Sequence, residues 1–189
     1  MHGVYSDTAL VLPSDWLVWL ATSSARMAVY RLQGWHGPFR LLHVGGTAVF
    51  FGAIVLLDLR LLGLLGRDIA LDALARIVLP ITHWSFAVTM ASGVLLFLYD
   101  PIQTGSHSWF LPKLFLLAAA LANAAVFSVP KRLGLKRIGG GMLTRHARLA
   151  GALSLILWAG VIASATANHE ERPLLRGRSV IRPSPQAPE

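Results

Sequence analysis

The chain is expected to fold as an all-α integral membrane protein, a four-helix bundle preceded by an N-terminal amphipathic interfacial helix. Three observations carry that expectation. Four apolar stretches, residues 41–66, 77–99, 110–129 and 149–168, each reach the length that crosses a bilayer. A helix rises about 1.5 Å per residue and a hydrocarbon core is about 30 Å thick, so about 20 apolar residues suffice. Composition agrees, because 54% of the residues are hydrophobic, 14% are charged and the mean hydropathy is +0.58. The basic residues, finally, collect in loops and tails. The net charge of +8 therefore points to lipid headgroups and membrane topology rather than to nucleic acid.

Taken in order, the opening MHGVYSDTALVLPSDW lacks a basic n-region and a small-residue cleavage site, so it is not expected to act as a secretory signal. Residues 14–33 read as one helix. Trp16, Leu17, Trp19, Leu20, Met27, Val29 and Tyr30 supply apolar area, and Asp15, Arg26 and Arg31 keep one side wet. That combination suits the membrane interface. Gly34, Gly37 and Pro38 then turn the chain into the first span, which closes an N-terminal segment of residues 1–40. The bundle proper is residues 41–168, and residues 169–189, rich in Arg and Pro, are expected to be disordered.

Basic residues also set the orientation. Arg67 and Arg76 lie between spans one and two, and Lys131, Arg132, Lys136, Arg137, Arg145 and Arg148 between spans three and four. The connection around residues 101–109 has none. The positive-inside rule places both basic loops in the cytoplasm and both termini outside. Small-xxx-small pairs, Ala48 with Gly52, Ala118 with Ala122 and Gly160 with Ser164, mark expected helix contacts.

Chemistry is sought among the polar residues that the spans carry, since an ionisable group in hydrocarbon costs at least about 2–3 kcal/mol and needs a partner or a cavity. Asp58, Arg60, His83 and Asn123 are expected to share one leaflet as a structural polar layer, with Ser154 nearby. Asp58 would accept from His83 or from the Asn123 amide, while Arg60 reaches toward cytoplasmic phosphates. Histidines offer a second reading. His43 with His169 at the outer end, and His83 with His146 at the inner end, are the candidate ligands for haem b or copper, which imidazole binds well. His36 and His107 share the outer side, where Lys113 and Asp100 read as an interfacial anchor pair. With no cysteine there is no thiolate metal site and no covalent c-type haem. No HExxH, phosphate-binding Gly-rich loop or Ser-His-Asp set points to hydrolysis or nucleotide chemistry.

The block LLHVGGTAVFFGAIVLLDLRLLG, followed by LPITHWSFAVTMASGVLLFLYDP and ARLAGALSLILWAGVIA, resembles a family of small bacterial inner-membrane proteins of unknown function. The resemblance runs from Asp15 to Ala165. It implies a four-helix bundle with a short N-terminal helix in a bacterial inner membrane, and His43, Asp58 and Arg60 as the polar signature; with the orientation set by the basic loops, both termini are expected in the periplasm. It supplies no activity. The layout is similar to copper-resistance membrane domains and four-helix cytochrome-b-like proteins, an analogy of architecture alone. Relatives tend to carry a Phe-His pair late in span three, where this chain has Phe127 and Ser128.

Three functions follow as expectations. The first is a non-enzymatic membrane subunit or scaffold whose partners are the bilayer and other subunits of a complex. The second is a haem b or copper electron carrier. The third is a proton or ion relay through an Asp58–His83 layer.

Overall fold

The structure is a computed structural model that describes residues 11–66, 68–127 and 145–178, without the side chains of Gln33 and of 168–178. Seven α-helices and no strand occur among the described residues. Two short helices, α1 (Ser14–Ala21) and α2 (Ser24–Tyr30), precede the long α3 (His36–Leu62) and α4 (Leu71–Tyr99). A short α5 (Pro101–Gly105) leads to α6 (Phe110–Phe127), and α7 (Arg145–Arg178) closes the order. Three of these, His36–Leu62, Leu71–Tyr99 and Arg145–Ala167, are long and apolar enough to cross a membrane. The segment Phe110–Val126 is a shorter apolar helix.

The expected single helix over 14–33 is two. Ser23 breaks it, because its extended backbone and its hydroxyl, which accepts from the Arg26 N–H at 3.2 Å, start a new helix. Both pieces pack at the Tyr99 end of α4. Leu17 is buried against Gly105, Trp16 stacks on Phe97 at 6.3 Å, and the Tyr99 hydroxyl donates to the Leu32 carbonyl. At the opposite end α3 stops at Gly63, whose φ of 75° suits a residue without Cβ. The Leu64 N–H closes that turn by donating to the Leu59 carbonyl at 2.9 Å.

Phe50, Ala120 and Trp158 form one apolar cluster, with Phe51, Ile54, Phe86, Leu117, Leu157 and Val161 against it. Phe50 sits edge-on to Trp158 at 4.6 Å and 5.2 Å from Phe86. The cluster thus draws side chains from α3, α4, α6 and α7. Neighbouring pairs run antiparallel: His43 meets Ser92 and Gly93 near the far end of α4, and Asn123 meets Ala150 near the start of α7.

Other boundaries move as well. α3 runs from His36 to Leu62 rather than over 41–66, and Gly37 and Pro38, expected to turn the chain, lie in its first turn, where proline costs no helix hydrogen bond. α4 begins at Leu71, six residues before the expected span, because 71–76 (LDALAR) are good helix formers although too polar to score as membrane. α7 runs ten residues past the expected end at 168, through Glu170, Glu171, Leu174, Leu175 and Arg176, which also favour helix. Residues 179–189 of the expected tail lie outside the described residues, as do Lys131, Arg132, Lys136, Arg137 and Ser128.

Small residues do let the helices approach, but at other positions than the spacing suggests. Gly52 has open space where a Cβ would sit, and Ala48, Ala118 and Ala122 are exposed. The contacts fall on Gly46, Gly93 and Gly151 instead. A Cβ on Gly46 would lie 2.7 Å from Thr89 Oγ1, one on Gly93 2.8 Å from His43 Cε1, and one on Gly151 3.2 Å from the Asp58 carbonyl oxygen. Gly160 and Ser164 do occupy a contact, the first against Leu116 and the second buried.

Candidate functional site

Two polar seams run through the molecule. The first joins α3 to α4. His43 Nδ1 lies 2.8 Å from the Thr89 carbonyl oxygen and 3.4 Å from Ser92 Oγ. A carbonyl only accepts, so Nδ1 carries a proton, and whenever the ring is neutral Nε2 keeps its lone pair. Ser92 spends its own hydroxyl on the Val88 carbonyl at 2.6 Å. The ring fills the space left by Gly93, and Lys113 of α6 lies within electrostatic reach of it.

The second seam joins α3 and α6 to α7. Asp58 is buried at 5% exposure, and its carboxyl group has the Ser154 hydroxyl of α7 as a hydrogen-bonding partner. Among the described residues Asp58 Oδ2 has no hydrogen-bond partner. From the other side Asn123 Nδ2 donates to the Ala150 carbonyl at 3.2 Å, and Asn123 Oδ1 is likewise buried without a partner. Both side chains therefore reach the same turn of α7, residues 150–154. Gly151 allows it, by bringing α7 against the backbone of Asp58.

Arg60 does not reach outward to phosphates. It is buried, and its Nε and Nη2 both donate to the Ile69 carbonyl, at 2.9 and 2.7 Å, tying the α3–α4 loop back onto the helix. Position explains the difference. Asp58 and Arg60 point to different sides of α3, and the loop folds over the arginine side before it can reach solvent.

His83 stands apart from this layer. It is exposed on the outer surface of α4, while Asp58 is turned toward α7. Two physical reasons separate them. Asp58 follows Gly46, the α4-facing contact, by twelve residues, which rotates it about 120° away from α4 at 3.6 residues per turn. His83 also lies twelve residues into α4, about 18 Å from its start, whereas Asp58 lies four residues, about 6 Å, from the end of α3. Direct Asp58–His83 transfer has no geometric basis here.

The paired-histidine reading divides similarly. An Nδ1–H held by a backbone carbonyl is how a ligating imidazole is usually oriented, so His43 has the tautomer a metal or haem would need. Its expected partner His169 lies in α7, but that side chain is outside the described residues. His83 and His146 are both exposed, and among the described residues no group of three His, Cys, Asp or Glu is arranged to hold a metal ion. His36 rests edge-on against Tyr99 at 5.1 Å. Asp100 accepts from the Gln103 N–H at 3.1 Å as the cap of α5.

Sequence reasoning missed Ser85, Thr89, Ser92 and Gly93, the α4 side of the first seam. Their spacing is legible in retrospect: Ser85, Thr89 and Ser92 fall at i, i+4 and i+7, a polar stripe along one helix face. Comparisons with protein-family models, characterised proteins and solved structures return no match to this chain.

Proposed function

We propose that this is a four-span, non-enzymatic subunit of a larger membrane assembly. The carrying observation is His83. An imidazole, a hydrogen-bonding group, stands exposed near the middle of a helix long enough to cross the bilayer, flanked by Trp84 at 75% and Ile77 at 68% exposure. Facing lipid, that group would lose water and gain no bond, and polar side chains at such depth are found against another helix or a cavity. A neighbouring chain with a polar group opposite His83 supplies the missing bond.

The same reading takes α6 as the fourth span. Its 18 residues cover about 27 Å, and its Lys113 sits within the first turn, where a long side chain reaches the headgroups. It takes α1 and α2 as interfacial, since Trp16, Trp19, Met27 and Tyr30 remain exposed at the Tyr99 end. The basic loops at the opposite end then face the cytoplasm and the termini the periplasm of a bacterial inner membrane, in keeping with the family resemblance.

The test is the mass of the native complex after mild detergent extraction, with and without His83→Leu. The substitution is expected to release the chain to monomer mass while leaving its thermal unfolding unchanged. A wild-type chain that already runs as a monomer defeats the reading.

One observation favours a second reading, electron transfer through a bound haem b or copper: the Nδ1-protonated tautomer of His43. Such a group would supply the redox chemistry, and His43 Nε2 would hold it. An absorption spectrum of the purified protein, oxidised and then dithionite-reduced, tests this together with metal analysis. A b-type band that disappears in His43→Ala supports it, and a featureless spectrum without stoichiometric metal removes it.

A further inference from the structure

The α3–α6–α7 junction holds two oxygen atoms that lack a donor among the described residues. Asp58 Oδ2 and Asn123 Oδ1 are both sealed from solvent and both lack a hydrogen-bond partner among the described residues. The Asn123 amide cannot simply be turned over to help. Its Nδ2 is held by the Ala150 carbonyl, and the reverse orientation would set two carbonyl oxygens against each other. Arg60, the nearest cation along the chain, points elsewhere and is engaged with Ile69.

We propose that Asp58, Asn123 and Ser154 bind one small cation, a proton or a partly dehydrated alkali ion, between α3, α6 and α7. A buried carboxylate needs a compensating positive charge. The ligand atoms available to provide a site are a carboxylate, an amide oxygen and a hydroxyl. All are hard oxygen donors, which suit a proton or an alkali ion and not a soft transition metal. The site lies about 6 Å from the loop end of α3, so an ion need cross only a short stretch of protein to reach it. This inference is independent of any assembly through His83.

Few other titratable groups bear on Asp58. On α3 there is Arg60, already engaged. α6 presents Asn123, and α7 presents Ser154 and Gly151, with Arg145, His146 and Arg148 exposed on the turns before them. The α4 histidine, His83, faces outward.

Thermal unfolding of the detergent-purified full chain tests the site, in sodium chloride against choline chloride at equal ionic strength, and at acid and alkaline pH. A rise of about 3 °C or more in sodium over choline, absent in Asp58→Asn, identifies an alkali-ion site. A rise of that size on acidification, indifferent to sodium and absent in Asp58→Asn, identifies a proton site. A chain that responds to neither, or an Asp58→Asn variant that responds like the wild type, overturns the proposal. Should Asp58→Asn not be purified folded, Ser154→Ala removes one ligand oxygen and keeps the carboxylate. It is expected to need at least about threefold more ion for the same stabilisation, and an unchanged response counts against the site.

Discussion

The α3–α4 seam and the α3–α6–α7 junction are built from similar materials and differ in the groups they leave without a partner. Along the first, a neutral imidazole, two serines and a threonine meet over Gly46 and Gly93, and the ring proton finds the Thr89 carbonyl. Among the described residues the group it leaves sealed is the Thr89 hydroxyl. At the second, the groups left sealed without a partner among the described residues are the Asn123 amide oxygen and one oxygen of the Asp58 carboxyl group. An unbonded hydroxyl costs about 1–3 kcal/mol, whereas an isolated buried carboxylate costs far more. The first seam is explained by helix packing alone. The second is not, since packing there leaves two oxygen acceptors without a donor among the described residues.

The comparison can be broken most forcefully at Gly46. Gly46→Val drives a branched side chain into Thr89 Oγ1 and toward the Ser85 carbonyl, and is expected to destabilise by about 3 kcal/mol, the upper range for overpacking. Thermal unfolding in detergent measures it, and a melting temperature within a degree of wild type would show that the α3–α4 contact is not as close as described. Arg60→Met comes next. It removes two charge-assisted hydrogen bonds to one carbonyl, for an expected loss of about 2 kcal/mol and faster protease cleavage of the α3–α4 loop. If Arg60 instead served headgroups, cleavage would stay unchanged.

Asn123→Leu sharpens the contrast between the seams. It deletes one bond to the Ala150 carbonyl but also a buried acceptor without a donor, so with the cation site empty (alkaline choline chloride) the two effects offset and the expected loss is about 1 kcal/mol or less. A loss above about 3 kcal/mol in chemical denaturation would mean that Asn123 Oδ1 is already satisfied. Gly52→Ala is the smallest case. With open space at its Cβ it is expected to change stability by no more than about 0.5 kcal/mol, and any loss is the sign of an unseen helix neighbour.

Much of this was legible before any coordinates. Hydropathy is a local property, summed over some 20 residues, and it located α3, α4, α6 and the apolar part of α7 to within a few residues. It failed at element ends, where 71–76 and 169–178 are helical by propensity but too polar to count as membrane. The candidate site was only partly legible. Asp58, Arg60 and Asn123 could be picked out as costly residues in apolar surroundings. Ser154 could be placed at their depth, though not as the partner of Asp58. Ile69 and Ala150 could not be read at all, because each takes part through a backbone carbonyl on another segment.

By itself, then, the sequence determined that the chain is helical, that it carries four apolar stretches of about membrane length, of which three form helices that long, and which residues are too polar to sit in hydrocarbon unaided. Only the tertiary structure decided where those residues face. Rotation about a helix axis is set by close packing at Gly46, Gly93 and Gly151, and a turn of 100° per residue moves a side chain from core to lipid without altering composition. That rotation turns Asp58 toward α7 and leaves His83 on the outer surface. Two residues that hydropathy treats alike are thereby given different work, one inside the bundle and one at its edge.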